Sequence, residues 1–109
     1  MIKARLSQDG RAFCLELEGH AQHSCPGEDL VCAAVSTLAF ALDGYLDRLD
    51  REGLLIKRAS TVLEKGRAKM EALPEARSRE RLEGAFELAG CFLSLLEENY
   101  PENINLSAG

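Results

Sequence analysis

The spacing of the apolar residues changes along the chain from every second residue to every third or fourth. Between residues 2 and 18 apolar and mainly polar residues alternate, which is typical of half-buried strands. Asp9-Gly10 lies in the middle of this segment and is a turn signal, so residues 2–18 are predicted to form a β-hairpin. From Glu28 to about Arg51 the apolar residues form the stripe of one long helix: Val31, Val35, Leu38, Leu42, Tyr45 and Leu49.

The second half of the chain shows the same change of spacing, after Gly53 ends the first helix. Three further elements are predicted: two strands within Leu54–Arg67 with a turn near Ala59-Ser60 or Gly66, a helix from after Pro74 to near Tyr100-Pro101, and a short strand around Ile104 and Leu106. The order ββ-α-ββ-α-β predicts an α+β fold with two helices packed on a mostly antiparallel or mixed sheet. At 109 residues, the chain is expected to form a single domain over residues 1–109.

Charge and composition exclude several classes of protein. With 46% hydrophobic and 28% charged residues the chain has the composition of a soluble globular protein. A net charge of −5 disfavours direct binding to nucleic acid. The weakly polar run Leu30–Leu42 is shorter than a membrane span, and the N-terminus lacks the apolar stretch of a secretory signal. We therefore expect a cytoplasmic protein that does not bind membranes and whose four cysteines are reduced.

One short segment breaks this ordinary pattern, because both histidines and two of the four cysteines lie in it: His20, His23, Cys25 and Cys32. A cysteine in the first turns of a helix lies near the positive end of the helix dipole, which favours the nucleophilic thiolate. Cys32 has such a position, and His20 at the end of the second predicted strand could serve as its base. Alternatively, Cys32 is a small buried apolar residue beside Ala33 and Ala34.

Asp29, Cys32 and Ser36 lie at spacings that place them on one face of the first helix. Asp29 either caps the helix or orients His20 as the third member of a catalytic set. Ser36 either bonds back to the helix backbone or supports the site. Cys14 and Cys91 have no histidine nearby in the sequence and are expected to be inert packing residues.

The same segment has the residue types for two other uses, a zinc site and a redox-active cysteine pair. His20, His23, Cys25 and Cys32 include the ligand types of tetrahedral zinc, but their spacing matches none of the usual structural zinc patterns, so no metal site is predicted. Cys25 could instead be the resolving cysteine of a redox-sensing pair with Cys32.

The blocks Gly19-His20-Ala21 and Gly27-Glu28-Asp29-Leu30-Val31-Cys32-Ala33-Ala34-Val35-Ser36 together resemble the signature of the ribosomal-processing cysteine protease family Prp, also called YsxB-like. The resemblance extends over nearly the whole chain and includes a Tyr-Pro near the last predicted strand. It implies that His20 is the catalytic histidine and Cys32 the nucleophile. The other matching motif positions, which would support the site, are Gly19, Ala21, Gly27, Asp29 and Ser36.

This resemblance also implies a homodimeric, cofactor-free endopeptidase. Its substrate would be a large-subunit bacterial ribosomal protein whose N-terminal extension, hydrophobic and aromatic near the cut, is removed. The family's mobile substrate loop maps onto Gln22, His23, Ser24, Cys25 and Pro26, a composition that departs from the family pattern. Gly19 and Gly27 are expected to be its hinges.

A noncatalytic module of ribosome assembly, with a vestigial His20-Cys32 pair, is the alternative function. An acidic surface suits a basic ribosomal partner in either case. The expected dimer would use apolar residues such as Phe92 and Leu95 on a second face of the second helix.

Overall fold

The computed structural model describes residues 1–19 and 28–108, without the side chains of Glu28, Asp29 and Ala108. Its strands and helices confirm the predicted order ββ-α-ββ-α-β. In chain order they are β1 Ile2–Asp9, β2 Ala12–Glu18, α1 Glu28–Arg51, β3 Ser60–Glu64, β4 Arg67–Ala72, α2 Arg79–Asn99 and β5 Ile104–Ala108, with a short 3-10 turn, Ala76–Ser78, before α2.

The five strands form one mixed sheet in the order β3-β4-β2-β1-β5. The pairs β1–β2, β2–β4 and β3–β4 are antiparallel, and β1–β5 is parallel. One face of the sheet is buried and belongs to a single hydrophobic core with both helices. The strand residues in that core are Ile2, Ala4, Phe13, Leu15, Leu17, Met70, Ala72 and Ile104.

The other face of the sheet is polar, and charges of opposite sign lie directly across from one another. Along one row Lys3 pairs with Glu18, Glu18 with Arg67, and Arg67 with Glu64. Opposite charges on neighbouring strands favour this register. A slip by one residue would also turn the buried apolar side chains to solvent, which disfavours other registers.

Of the two strands predicted within Leu54–Arg67, only β3 lies in that range, because β4 begins at Arg67 and runs to Ala72. The apolar run Leu54-Leu55-Ile56 belongs to the connection from α1 to β3, where Leu55 forms only an isolated bridge with Pro74. The following hairpin turns at Lys65-Gly66, where Gly66 has φ 80°, and not at the alternative position Ala59-Ser60. The apolar run was misleading because Leu55 is buried in the core although it lies in a connection and not in a strand. β3 is an edge strand with mostly exposed residues, so no apolar run marks it.

By length and composition alone, residues Leu30–Arg51 of α1 could cross a membrane, with a mean hydropathy of 1.4. The core helix of a soluble protein passes the same test. In this fold α1 contributes a buried stripe to the core above the sheet: Val31, Val35, Ala39, Leu42, Leu46 and Leu49. These contacts account for the apolar composition of α1 through packing within the domain.

The outer edge of β5 makes hydrogen bonds to α2 and to Tyr100, the residue that follows α2. The backbone N–H of Leu106 donates to Oε2 of Glu97 on α2 at 2.6 Å, and the N–H of Ile104 donates to the carbonyl oxygen of Tyr100 at 3.3 Å. Two donors of the edge strand are thereby satisfied within the chain.

Candidate active site

Gly19 ends β2 in a conformation that only glycine adopts easily, with φ 128°. Its N–H donates to the carbonyl oxygen of Gly66 at 2.9 Å. A Cβ at this position would clash with the carbonyl oxygen of Met1 and lie 3.1 Å from Cα of Ile2. The backbone directly before His20 is therefore held by the β3–β4 turn and the start of β1. The structure thus gives Gly19 a close-approach role, whereas the sequence suggested a hinge.

Cys32 is the fifth residue of α1 and is half-buried at the edge of the core. Val31 and Val35, at neighbouring positions of the same helix, are buried in the core. The first turn of a helix presents backbone N–H groups without partners inside the helix, and the positive end of the dipole lies there. Cys32 lies at the start of the second turn, and its Cα–Cβ bond tilts back toward this positive end of α1.

A groove of about 860 Å³ opens beside Cys32. The groove is lined by one face of α1, by the start of β1, by the end of β2 and by the β3–β4 hairpin. Its lining residues are Cys32, Val35, Ser36, Ala39 and Phe40 from α1, Ile2, Leu17, Glu18 and Gly19 from β1 and β2, and Leu63–Ala68 from the hairpin. Three of the predicted site residues, Gly19, Cys32 and Ser36, thus line one groove.

The remaining predicted site residues lie outside the described part of the chain: His20, Ala21, Gln22, His23, Ser24, Cys25, Pro26 and Gly27. Asp29 is the second residue of α1, and its side chain is likewise outside the described atoms. The zinc and redox hypotheses depend on the same segment. Within residues 1–19 and 28–108, no group of three or more His, Cys, Asp or Glu side chains could hold a metal ion.

Sequence reasoning missed the outer part of the groove, which contains Phe40 and the turn between β3 and β4. Phe40 lies off the apolar stripe of α1, and its side chain is 65% exposed. A large aromatic residue on the polar side of an amphipathic helix was the available signal.

The two cysteines expected to be packing residues differ in their surroundings. Cys14 is half-buried on the polar face of the sheet, and burial raises the pKa of its thiol, with Glu71 and Glu16 adding to the rise and Lys69 opposing it. Cys91 is exposed on the outer side of α2, so the prediction that it packs in the interior is wrong. Helical spacing alone did not reveal which side of α2 carries Cys91.

Comparison with known proteins places the chain in a class of enzymes, the cysteine proteases. Residues 1–105 match the profile of the family described as cysteine protease Prp, and the chain belongs to that family. A comparison with curated proteins finds no match.

Solved structures support the same fold. SMU.848 from Streptococcus mutans is 29% identical, with 99% of this chain and 96% of that chain covered, at a TM-score of 0.74. The essential ribosomal processing protease Prp from S. aureus, crystallised with a substrate peptide, is 22% identical over 100% of both chains, at a TM-score of 0.71. Its structure with a covalently linked product peptide is 24% identical over 100% of both chains, also at 0.71.

Proposed function

We propose that this protein is a cysteine endopeptidase that removes the N-terminal extension of a large-subunit bacterial ribosomal protein. The observation that carries the proposal is the position of Cys32, near the positive end of α1 and on the wall of a groove of about 860 Å³. Such a groove holds several residues of an extended peptide. Membership of the cysteine protease Prp family supports the same reaction.

In the proposed mechanism the Cys32 thiolate attacks the scissile carbonyl carbon and His20 protonates the leaving amine. The resulting thioester is hydrolysed by a water molecule that His20 deprotonates, which releases the acyl product and regenerates the thiol. Backbone N–H groups near the start of α1 stabilise the oxyanion of each tetrahedral intermediate. The reaction requires no cofactor.

The other motif residues have supporting parts in this proposal. Gly19 fixes the end of β2 from which the chain continues to His20. Asp29 orients His20 or caps α1, and Ser36, one turn after Cys32, faces the substrate groove. Residues 22–26 form the substrate loop, with Ala21 and Gly27 at its ends.

We further propose that the protein acts in the cytoplasm as a homodimer. The support for the dimer lies on α2. Leu88 and Leu95 are 71% and 59% exposed there and lie on one side of the helix together with Cys91. Phe92, expected to be part of the same surface, is instead partly buried against the core.

The decisive experiment is incubation of the protein with a peptide that carries the host's own ribosomal-protein N-terminal extension. Wild type should cut one bond, while Cys32→Ala and His20→Ala should not, as read by mass spectrometry. Cys14→Ala is the matched control, because it removes a thiol that is neither in the groove lining nor on the α2 surface, and it should leave cleavage unchanged. Binding without cleavage by wild type would favour the ribosome-assembly module, and loss of cleavage in Cys14→Ala would contradict the assignment of Cys32.

A further inference from the structure

The turn between β3 and β4 contributes to two features of the candidate site. Lys65 and Gly66 of this turn line the groove that also contains Cys32. The carbonyl oxygen of Gly66 accepts a hydrogen bond from the backbone N–H of Gly19 at 2.9 Å. Gly19 is the residue directly before His20. The turn is therefore connected to the backbone from which the proposed catalytic histidine follows.

This hydrogen bond continues the pairing of β2 with β4. Glu18 and Arg67 are the last pair of that antiparallel ladder, and the bond between Gly19 and Gly66 adds one step beyond it. On the side of β1, Gly19 lies so close to the carbonyl oxygen of Met1 that it has no room for a side chain. Gly19 is thus held between the start of β1 and the turn, so a shift of the turn would shift the point where the chain leaves β2.

The conformation of the turn depends on Gly66 itself. Its φ is 80°, in the left-handed region that residues with a side chain adopt only at a cost. β3 is the edge strand of the sheet and its residues are mostly exposed, so little packing resists a change in the turn. An alanine in place of Gly66 would therefore change the turn and move the carbonyl group that holds Gly19.

We propose that Gly66 is a positioning residue of the peptidase reaction, which acts through Gly19 on the placement of His20. This inference rests on the proposed function, because it takes His20 as the base that acts with Cys32. Gly66 contributes a carbonyl oxygen in a fixed place, within a turn that also lines the groove. An error of about 1 Å in the placement of a catalytic group can lower a rate about 100-fold.

The first test separates kcat from KM for cleavage of the extension peptide. Gly66→Ala should lower kcat about 10- to 100-fold and change KM much less, because the displaced group acts on the reacting bond. Gly66→Asn should restore most of kcat, since asparagine adopts left-handed φ values more readily than alanine. Gly10→Ala is the matched control: Gly10 has φ 61° in the β1–β2 turn and lies outside the groove lining. It should lower the melting temperature as Gly66→Ala does but keep the wild-type kcat.

The second test needs no cleavage. A histidine beside a cysteine favours the thiolate, so the pH profile of Cys32 alkylation by iodoacetamide, followed by mass spectrometry, reports whether His20 lies next to the thiol. The midpoint of this profile should rise by about one pH unit in Gly66→Ala, rise further in His20→Ala and stay at the wild-type value in Gly10→Ala. The charged groups that line the groove are the same in all four proteins and so do not cause these differences: Glu18, Glu64, Lys65 and Arg67.

The two tests distinguish failure of this inference from failure of the proposed function. If wild type does not cut the peptide but Gly66→Ala moves the alkylation profile toward that of His20→Ala, the positioning role stands and the protease function fails. If wild type cuts the peptide and Gly66→Ala matches Gly10→Ala in kcat and in alkylation, the positioning role is overturned. Identical alkylation profiles of wild type and His20→Ala would overturn it as well.

Discussion

Gly19 donates its backbone N–H to the carbonyl oxygen of Gly66 at 2.9 Å, which ties the end of β2 to the β3–β4 turn. The same residue has a positive φ and lies too close to the backbone of Met1 and Ile2 to carry a Cβ. The segment that continues to His20 therefore starts from a fixed point on the groove wall. A side chain at this position would disturb β1, the hairpin turn and the groove together.

We expect Gly19→Ala to destabilise the fold by about 1–3 kcal/mol, because alanine would be forced into a left-handed conformation against fixed backbone atoms. Cleavage of the extension peptide should also fall. Urea unfolding measures the first effect. Gly44→Ala in α1 is the control: apart from the neighbouring backbone of α1, nothing lies within 4 Å of its new Cβ, and alanine there should stabilise the helix by about 0.5–1 kcal/mol. Equal stability of Gly19→Ala and wild type would contradict the strain argument.

The hydrogen bond from Leu106 N–H to Glu97 should contribute measurably to stability. Glu97→Ala leaves a part-buried backbone donor without its acceptor, and we expect a loss of about 1–3 kcal/mol together with faster hydrogen exchange at the Leu106 amide. Glu97→Gln keeps an acceptor oxygen and should cost less. Glu98→Ala changes an exposed neighbour and is the control. Unchanged exchange at Leu106 in Glu97→Ala would show that the bond is unimportant.

Cys14 should react with iodoacetamide more slowly than Cys91 at pH 8. Burial raises the pKa of the Cys14 thiol above its ordinary value of 9.0, so little thiolate is present, whereas Cys91 is exposed. Cleavage at glutamate separates Cys14, Cys25, Cys32 and Cys91 into different peptides, so mass spectrometry can follow each site. In denaturant the difference between Cys14 and Cys91 should disappear, and its persistence there would contradict the structural cause.

The raised pKa of the Cys14 thiol also makes the free energy of unfolding depend on pH. Because the folded state favours the neutral Cys14 thiol, the contribution of this group is fully present below pH 9 and is lost as the pH rises through its raised pKa. Cys14→Ser should make the decline in stability above pH 9 less steep in urea titrations. An unchanged slope would assign that decline to other groups.

If the outer side of α2 is the dimer interface, the double variant Leu88→Glu/Leu95→Glu should be monomeric in analytical ultracentrifugation. Two buried carboxylates would oppose association more strongly than loss of the apolar contact alone. Ile56→Glu, which places the same charge at an exposed apolar residue elsewhere, should leave the assembly unchanged. If wild type, the double variant and Ile56→Glu are all dimeric, the interface lies on another surface.

The elements with strong local patterns were predicted well from sequence. The bounds of α1, Glu28–Arg51, follow from its helical stripe and from Gly53, which has φ 72° after the helix end. The edge strand β3 was not located, because four of its five residues are exposed and no apolar alternation marks it. Edge strands depend on pairing with a neighbour, and the pairing of β3 with β4 is a tertiary property.

The candidate site was likewise predicted only in part from the sequence. Helical spacing predicted that Cys32 and Ser36 share a face, and both line the groove. The part of the lining that comes from the hairpin could not be predicted, because Leu63 reaches the groove only through the turn at Lys65-Gly66. The roles of His20 and Asp29 remain predictions, since the described part of the chain contains neither side chain.

The two edge strands of the sheet, β5 and β3, differ in how readily another chain could pair with them. At β5, Glu97 and the Tyr100 carbonyl occupy N–H groups that another chain would need in order to extend the sheet. At β3, five residues with Glu64 at one end offer a short and partly charged border. Self-association by strand addition, the route to fibrils, is therefore hindered at one border and poorly supported at the other, which favours a protein that stays dispersed when concentrated.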